Sequence, residues 1–385
     1  MRVAHPLTLI AITVMLAALR CYGDEASIRF YIGTAVNADK GGIYLSTIDT
    51  QTGELSEPKL AAPTDRSTFI SLHPSEPVLY SVAELSNRDR GKGAGILAWK
   101  IDPASGELSE ISRQPAGGEG ACFVIARRDG RYAAVANYGS GSISLYPLQS
   151  DGRIDAASAN IQHEGSGPLA NRQAGPHAHS VRFDASGKHL LAADLGTDDI
   201  FIYDVGSRGE LTASNPASLK MPPGSGPRHF VFSPDNRFVL GLGEISGVIS
   251  TFSYDPVKPE PLSTVSTMTA GTDENAVRAS AEILFHPKLP VVYCSNRGPH
   301  DIAVFDYSAS DGALTRRSAS PCGGQTPRNF RITPDGRFML VANQGSNSVD
   351  VLRIDPQSGD LSPAGHKIEV PSPMCIKFVG DTSVQ

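Results

Sequence analysis

His179, Arg228, Glu244, Arg297 and Arg328 are ionisable side chains that fall at matching points of a repeated sequence pattern. Arginine makes planar two-point contacts to carboxylate or phosphate and keeps its charge when partly buried. Three arginines brought together therefore describe a cationic cleft for an anionic or carbonyl-bearing substrate. A base beside them, Glu244 or His179, can activate water, and an arginine can hold the oxyanion of a tetrahedral intermediate. The same residue types also suit a plainer use, an Arg/Glu network that ties neighbouring repeats together.

The pattern is clearest from Pro327 to Asp355, PRNFRITPDGRFMLVANQGSNSVDVLRID. It reads as strands at Phe330 to Thr333, Phe338 to Ala342 and Ser348 to Ile354, with Pro-Asp-Gly and Gln-Gly-Ser turns, and a fourth strand after Pro356 to Gly359. Complete versions occur at FISLHPSEPVLYSVAE, FVIARRDGRYAAVAN, SVRFDASGKHLLAAD, HFVFSPDNRFVLGLGE and EILFHPKLPVVYCSN. Their anchor residues, Leu72, Ala126, Phe183, Phe232, Phe285 and Ile332, recur about every 50 residues, a period suited to four-stranded propeller blades. A seventh anchor, Phe378 in PMCIKFVGD, ends the pattern after one strand. SIRFYIGTA, GGIYLSTID and GELSEPKL at the other end supply the missing strands, and joining them closes the ring and removes exposed edges. The predicted fold is all-β: a single seven-bladed propeller over residues 27–385, in a chain of 385 residues whose 38 Gly and 28 Pro punctuate it throughout.

In a propeller the innermost strands line a central channel, and sites form where strand ends and loops meet at one mouth. Four residues before each anchor stand Thr68, Cys122, His179, Arg228, Ala281, Arg328 and Met374. At the end of each second strand stand Glu84, Tyr138, Leu195, Glu244, Arg297 and Gln344. From these rings Glu244, His179, Arg297 and Arg228 are the candidate catalytic residues; Arg328, Gln344, Glu84 and the neighbouring His177 are candidate substrate contacts. One residue earlier, Asn137, Asp194, Asn296 and Asn343 offer oxygens to a hard cation, but such residues more often satisfy turn backbone. No metal or cofactor is assigned, and no Gly-x-Ser-x-Gly elbow is present.

The net charge of −6, with no Lys/Arg run, gives no face for nucleic acid. Residues 1–26 read as a signal peptide, with Arg2 before an apolar stretch from Leu7 to Leu19 that is short for a membrane span. The mature chain is expected to be exported, periplasmic or extracellular. Cys122, Cys294, Cys322 and Cys375 form no CxxC pair and no zinc pattern; in an exported chain a disulfide is allowed but not implied, and buried free thiols are the plainer reading for those within strands.

PHAHSV, GPRHFVFSPD, CSNRG and TPRNFRITPDGRFMLVANQGSNSV resemble the seven-bladed propeller lactonase family, which includes 6-phosphogluconolactonases and carboxy-cis,cis-muconate cyclases. The resemblance runs from Ile28 to Val379 and implies hydrolysis or formation of a lactone without a required metal. It places the family's site residues on His179, with His177 as second choice, and on Arg228, Glu244 and Arg297, with Arg328 as a substrate contact. Phe123 stands where many members carry a histidine. A sugar lactonase acting on an anionic lactone or sugar acid is the expected function. A muconate-type cyclase and an exported propeller that binds sugar or protein without turnover are the alternatives.

Overall fold

The protein is described here by a computed structural model covering residues 27–85, 93–255, 258–273 and 276–380. The predicted signal peptide lies outside the described residues. Seven antiparallel sheets of four strands each form the ring, and each innermost strand touches the innermost strands on both sides. The innermost strands are Pro373–Phe378, Ile70–Leu72, Ala121–Ala126, Ala178–Phe183, Pro227–Phe232, Ser280–Phe285 and Pro327–Ile332. We number the blades one to seven in that order.

Blade one closes the ring as expected. Its strand order is Pro373–Phe378, Ser27–Thr34, Gly42–Asp49, Lys59–Pro63, and Phe30 pairs with Phe378 across the junction. Both rings are fully buried and meet edge to face at 5.9 Å. The turns follow the sequence: Asp49, Asp102 and Asp355 each accept backbone N–H bonds from residues two and three positions on, which forms the Asp/Ser/Gly hairpins between third and fourth strands.

Neighbouring blades are joined by repeated polar contacts as well as by apolar packing. The buried hydroxyls of Tyr31, Tyr80 and Tyr293 donate to the carbonyls of Gly106, Gly152 and Gly359 in the outer hairpin of the next blade. His286 accepts the N–H groups of Lys288 and Leu289 at Nδ1, so its Nε2–H donates to Gly336 O of the following blade. His73 makes the same arrangement with Gly130 O. These His-Pro histidines are blade joints, away from the candidate site.

One local irregularity positions the site. In blades one, three, four, five and seven the register with the second strand slips at Met374, Cys122, His179, Arg228 and Arg328, and in blade six at Ala281 and Glu282. A bulge sets two residues against one, so consecutive side chains stop alternating between faces and both turn toward the channel.

Replacing Phe378 with Ala should lower unfolding stability by roughly 3–5 kcal/mol, read as a fall in the urea midpoint. A loss below about 1 kcal/mol would mean that the closing strand contributes little to holding the ring.

Candidate active site

Glu244 directly follows the second strand of blade five, Phe238–Gly243, and its carboxylate is where the candidate arginines meet. Oε2 lies 2.7 Å from Arg297 Nη2 and 3.0 Å from Arg228 Nε, and Oε1 lies 2.7 Å from Arg172 Nη2. The Arg228 Nε contact is a close charge contact without hydrogen-bond alignment. Arg228 Nη1 donates instead to Ala281 O, and Arg297 Nε donates to Ala279 O at 2.9 Å. The glycine of SNRG is required here: a Cβ on Gly298 would lie 1.6 Å from Val277 O, so only glycine lets that loop pass so close to Arg297.

The charges follow from this geometry. Burial works against the Glu244 carboxylate, but Arg297, Arg228 and then Arg172 outweigh it and hold the group at about 2. Burial, then Arg228 and Arg297, pull Arg328 down to about 9, which leaves it cationic at neutral pH. Among the described residues the Arg328 guanidinium has no hydrogen bond or ion pair, and it faces a cavity of about 20 Å³ shared with Cys122, His179 and Arg228. That volume holds about one water molecule.

His179 is buried, with its ring edge-on to Tyr138 at 5.5 Å and to His229 at 5.4 Å. Burial first, and then Arg228, His229 and Arg328, hold it well below the usual histidine range, so the ring is neutral at pH 7. Cys122 donates its S–H to His179 O at 3.3 Å, and burial pushes the thiol up to about 12. His177 stacks on Tyr138 at 4.6 Å and donates from Nδ1 to Tyr138 O. Glu84 and Gln344 are not brought into this cluster. Glu84 is exposed and paired with Arg66 at 2.6 Å, and Gln344 Nε2 donates to Ser372 Oγ. Asp194, Asn137 and Asn343 bond within their own neighbourhoods: Asp194 to His163 and to the N–H groups of His177 and Gly196, the two asparagines to the carbonyls of Ala116 and Cys322. The four cysteines from Cys122 onward are free.

Arg172, His229, Glu282 and Asn329 escaped the sequence reading. Arg172 sits on the loop before blade four, which Gln173 pins by donating to Leu195 O and Asp198 Oδ1. The signal for it was the long interval between Ala126 and Phe183. His229, Glu282 and Asn329 each follow a bulged residue, where strand alternation would turn them away from the channel. His229 donates from Nδ1 to Glu282 Oε1 at 2.8 Å, and Asn329 donates to Glu282 Oε2.

A seven-bladed ring that gathers Arg172, Arg228 and Arg297 on the Glu244 carboxylate, with Arg328 nearby, is the arrangement the fold presents at its channel. The chain belongs to the seven-bladed β-propeller lactonase family, whose model matches residues 29–378. It is 30% identical to a 6-phosphogluconolactonase of Bacillus subtilis over 91% of this chain and 97% of that one. With a 6-phosphogluconolactonase of Formosa agariphila the identity is 32%, over 86% and 94% of the two chains. Among solved structures, the periplasmic gluconolactonase of Pseudomonas aeruginosa superposes with a TM-score of 0.85 at 29% identity, covering 92% of this chain and 99% of that one.

Glu244 stays charged because its folded-state pKa lies below the ordinary 4.5, at about 2. A depressed carboxylate stabilises the fold above its unfolded pKa and loses that contribution as pH falls through the folded value, here worth roughly 3 kcal/mol. Glu244→Gln should therefore destabilise the protein at pH 7, with the gap to wild type narrowing between about pH 4.5 and pH 2. Urea titrations across that range test this, and a constant gap would contradict it.

Proposed function

We propose that the chain hydrolyses a sugar δ-lactone of the 6-phosphogluconolactone kind, by attack of water on the ring carbonyl and without a required metal. The observation that carries this reading is Arg328: a half-buried guanidinium left without a partner among the described residues, beside two arginines already oriented by Glu244. The comparisons support the substrate class, because the similar proteins are 6-phosphogluconolactonases and a gluconolactonase.

The lactone sits at the mouth, with its carbonyl over the water-sized cavity. Arg328 and Arg228 meet the oxygen that becomes negative in the tetrahedral intermediate, and fixed cations in a water-poor pocket stabilise that charge without reorganising. His179 takes the proton from the attacking water. Glu244 is the weaker base, since a carboxylate held at about 2 has little affinity for a proton at pH 7. Its role is to orient Arg228, Arg297 and Arg172. His179 in turn gains basicity when substrate arrives, because negative charge on the substrate offsets the push of Arg228 and Arg328. Arg297 and Arg172, at the rim, are placed for an anionic substituent such as a phosphate.

Export remains part of the reading. The predicted signal peptide and a periplasmic relative support it, and an exported enzyme would meet lactones without phosphate as well as with it.

The deciding measurement is ring opening of gluconolactone with and without a 6-phosphate, before and after EDTA. Saturable turnover unaffected by EDTA is expected. No lactone turnover would overturn the proposal. Arg328→Met should lower kcat/KM by about 10²–10³-fold with folding retained; an unchanged rate removes Arg328 from the site. For pH, neutral His179 is the active form and its pKa lies well below 6.5. After correction for spontaneous opening, kcat/KM should hold down to pH 6 and fall only at more acid values, whereas a decline centred near 6.5 would contradict the depressed pKa of His179.

A further inference from the structure

Beneath the candidate active site the channel carries a second set of cations. Arg182, Arg331 and Lys377 each lie three residues beyond a bulged position, on the innermost strands Ala178–Phe183, Pro327–Ile332 and Pro373–Phe378. Their side chains therefore enter the channel at one common level. Phe69, Phe123 and His229 separate this level from the mouth. Phe69 and Phe123 stack at 4.1 Å, and His229 packs edge-on to both. On this layer rest the Arg182 guanidinium, 5.7 Å from the Phe123 ring, and the Lys377 ammonium, 5.2 Å from the Phe69 ring.

The lower level sets three cations against the single carboxylate of Glu282. Arg182 is only 4% exposed, and its Nε and Nη1 have no hydrogen-bond partner among the described residues. Arg331 is 5% exposed, and its Nε makes one long bond, 3.4 Å, to Ile376 O. Glu282 is the nearby carboxylate, and His229 and Asn329 already engage both of its oxygens. Burial, and then Arg331, depress Lys377 to about 7. A buried guanidinium without a partner is costly, and an anion removes that cost. Arg182 also lines a cavity of about 160 Å³ on the face of the ring opposite the candidate active site, together with Arg128, Ser233, Asn236 and His286.

We propose that this lower level is a second anion site, taking a small tetrahedral oxyanion on Arg182, Arg331 and Lys377 from the face opposite the lactone. Guanidinium N–H groups match oxyanion geometry. The three cations come from blades four, seven and one, so the anion ties distant parts of the ring together, including the closing blade. The site is independent of the lactonase reading.

Inorganic phosphate is the probe, titrated by calorimetry into the whole protein at constant ionic strength. Two classes of site are expected. Arg328→Met should lose the mouth class and keep the lower one, whereas Lys377→Met and, separately, Arg182→Met should do the reverse. In the Arg328→Met protein, phosphate at about 100 times the lower dissociation constant should raise the unfolding midpoint by about 4 °C. Adding Lys377→Met should abolish that rise. Absence of phosphate binding in Arg328→Met, or lower-class binding unchanged by Lys377→Met, would overturn the proposal. Should Arg182→Met fail to fold, the Lys377→Met comparison decides alone.

Discussion

Closing seven sheets into a ring forces seven innermost strands to run around one axis, where side chains from every blade come within reach of each other. The closure is covalently free and rests on the pairing of Ser27–Thr34 with Pro373–Phe378 and on the buried contact of Phe30 with Phe378. Once the ring is closed, residues more than a hundred positions apart in the chain become neighbours. That crowding is favourable for apolar groups and unfavourable for like charges, so the channel's charge arrangement is the feature the fold must accommodate.

Glu244 resolves part of that conflict. Its two oxygens meet Arg172, Arg228 and Arg297, and each arginine is held further by a backbone carbonyl or by its own loop. The carboxylate is thereby committed to the arginines, and its proton affinity falls accordingly. Arg328 receives no such partner. Positive charge thus remains at the mouth in one defined place, beside a neutral His179.

The bulges connect fold to chemistry. A regular strand would send His229, Glu282 and Asn329 into the sheet packing, but register slips beside them turn these residues into the channel along with Arg228, Ala281 and Arg328. Phe123 gains its place in the same way, stacking on Phe69 at 4.1 Å.

Fold and ring order were legible in the sequence because blade repeats are local: a period of about 50 residues, turn chemistry at Pro-Asp-Gly and Asp-x-x-Ser-Gly, and a split last blade specify strands and closure without long-range information. The gathering of His179, Arg228, Glu244, Arg297 and Arg328 was legible too, since they occupy repeat-equivalent positions that a ring brings to one axis. The partnerships were not. Nothing in the spacing says that Arg172 reaches Glu244, that Glu84 turns instead to Arg66, or that Glu244 is a poor base and Arg328 an unpaired cation. Those properties depend on distances of 3 Å and on burial, both of which arise only when loops and bulged strands from separate blades are brought to one axis.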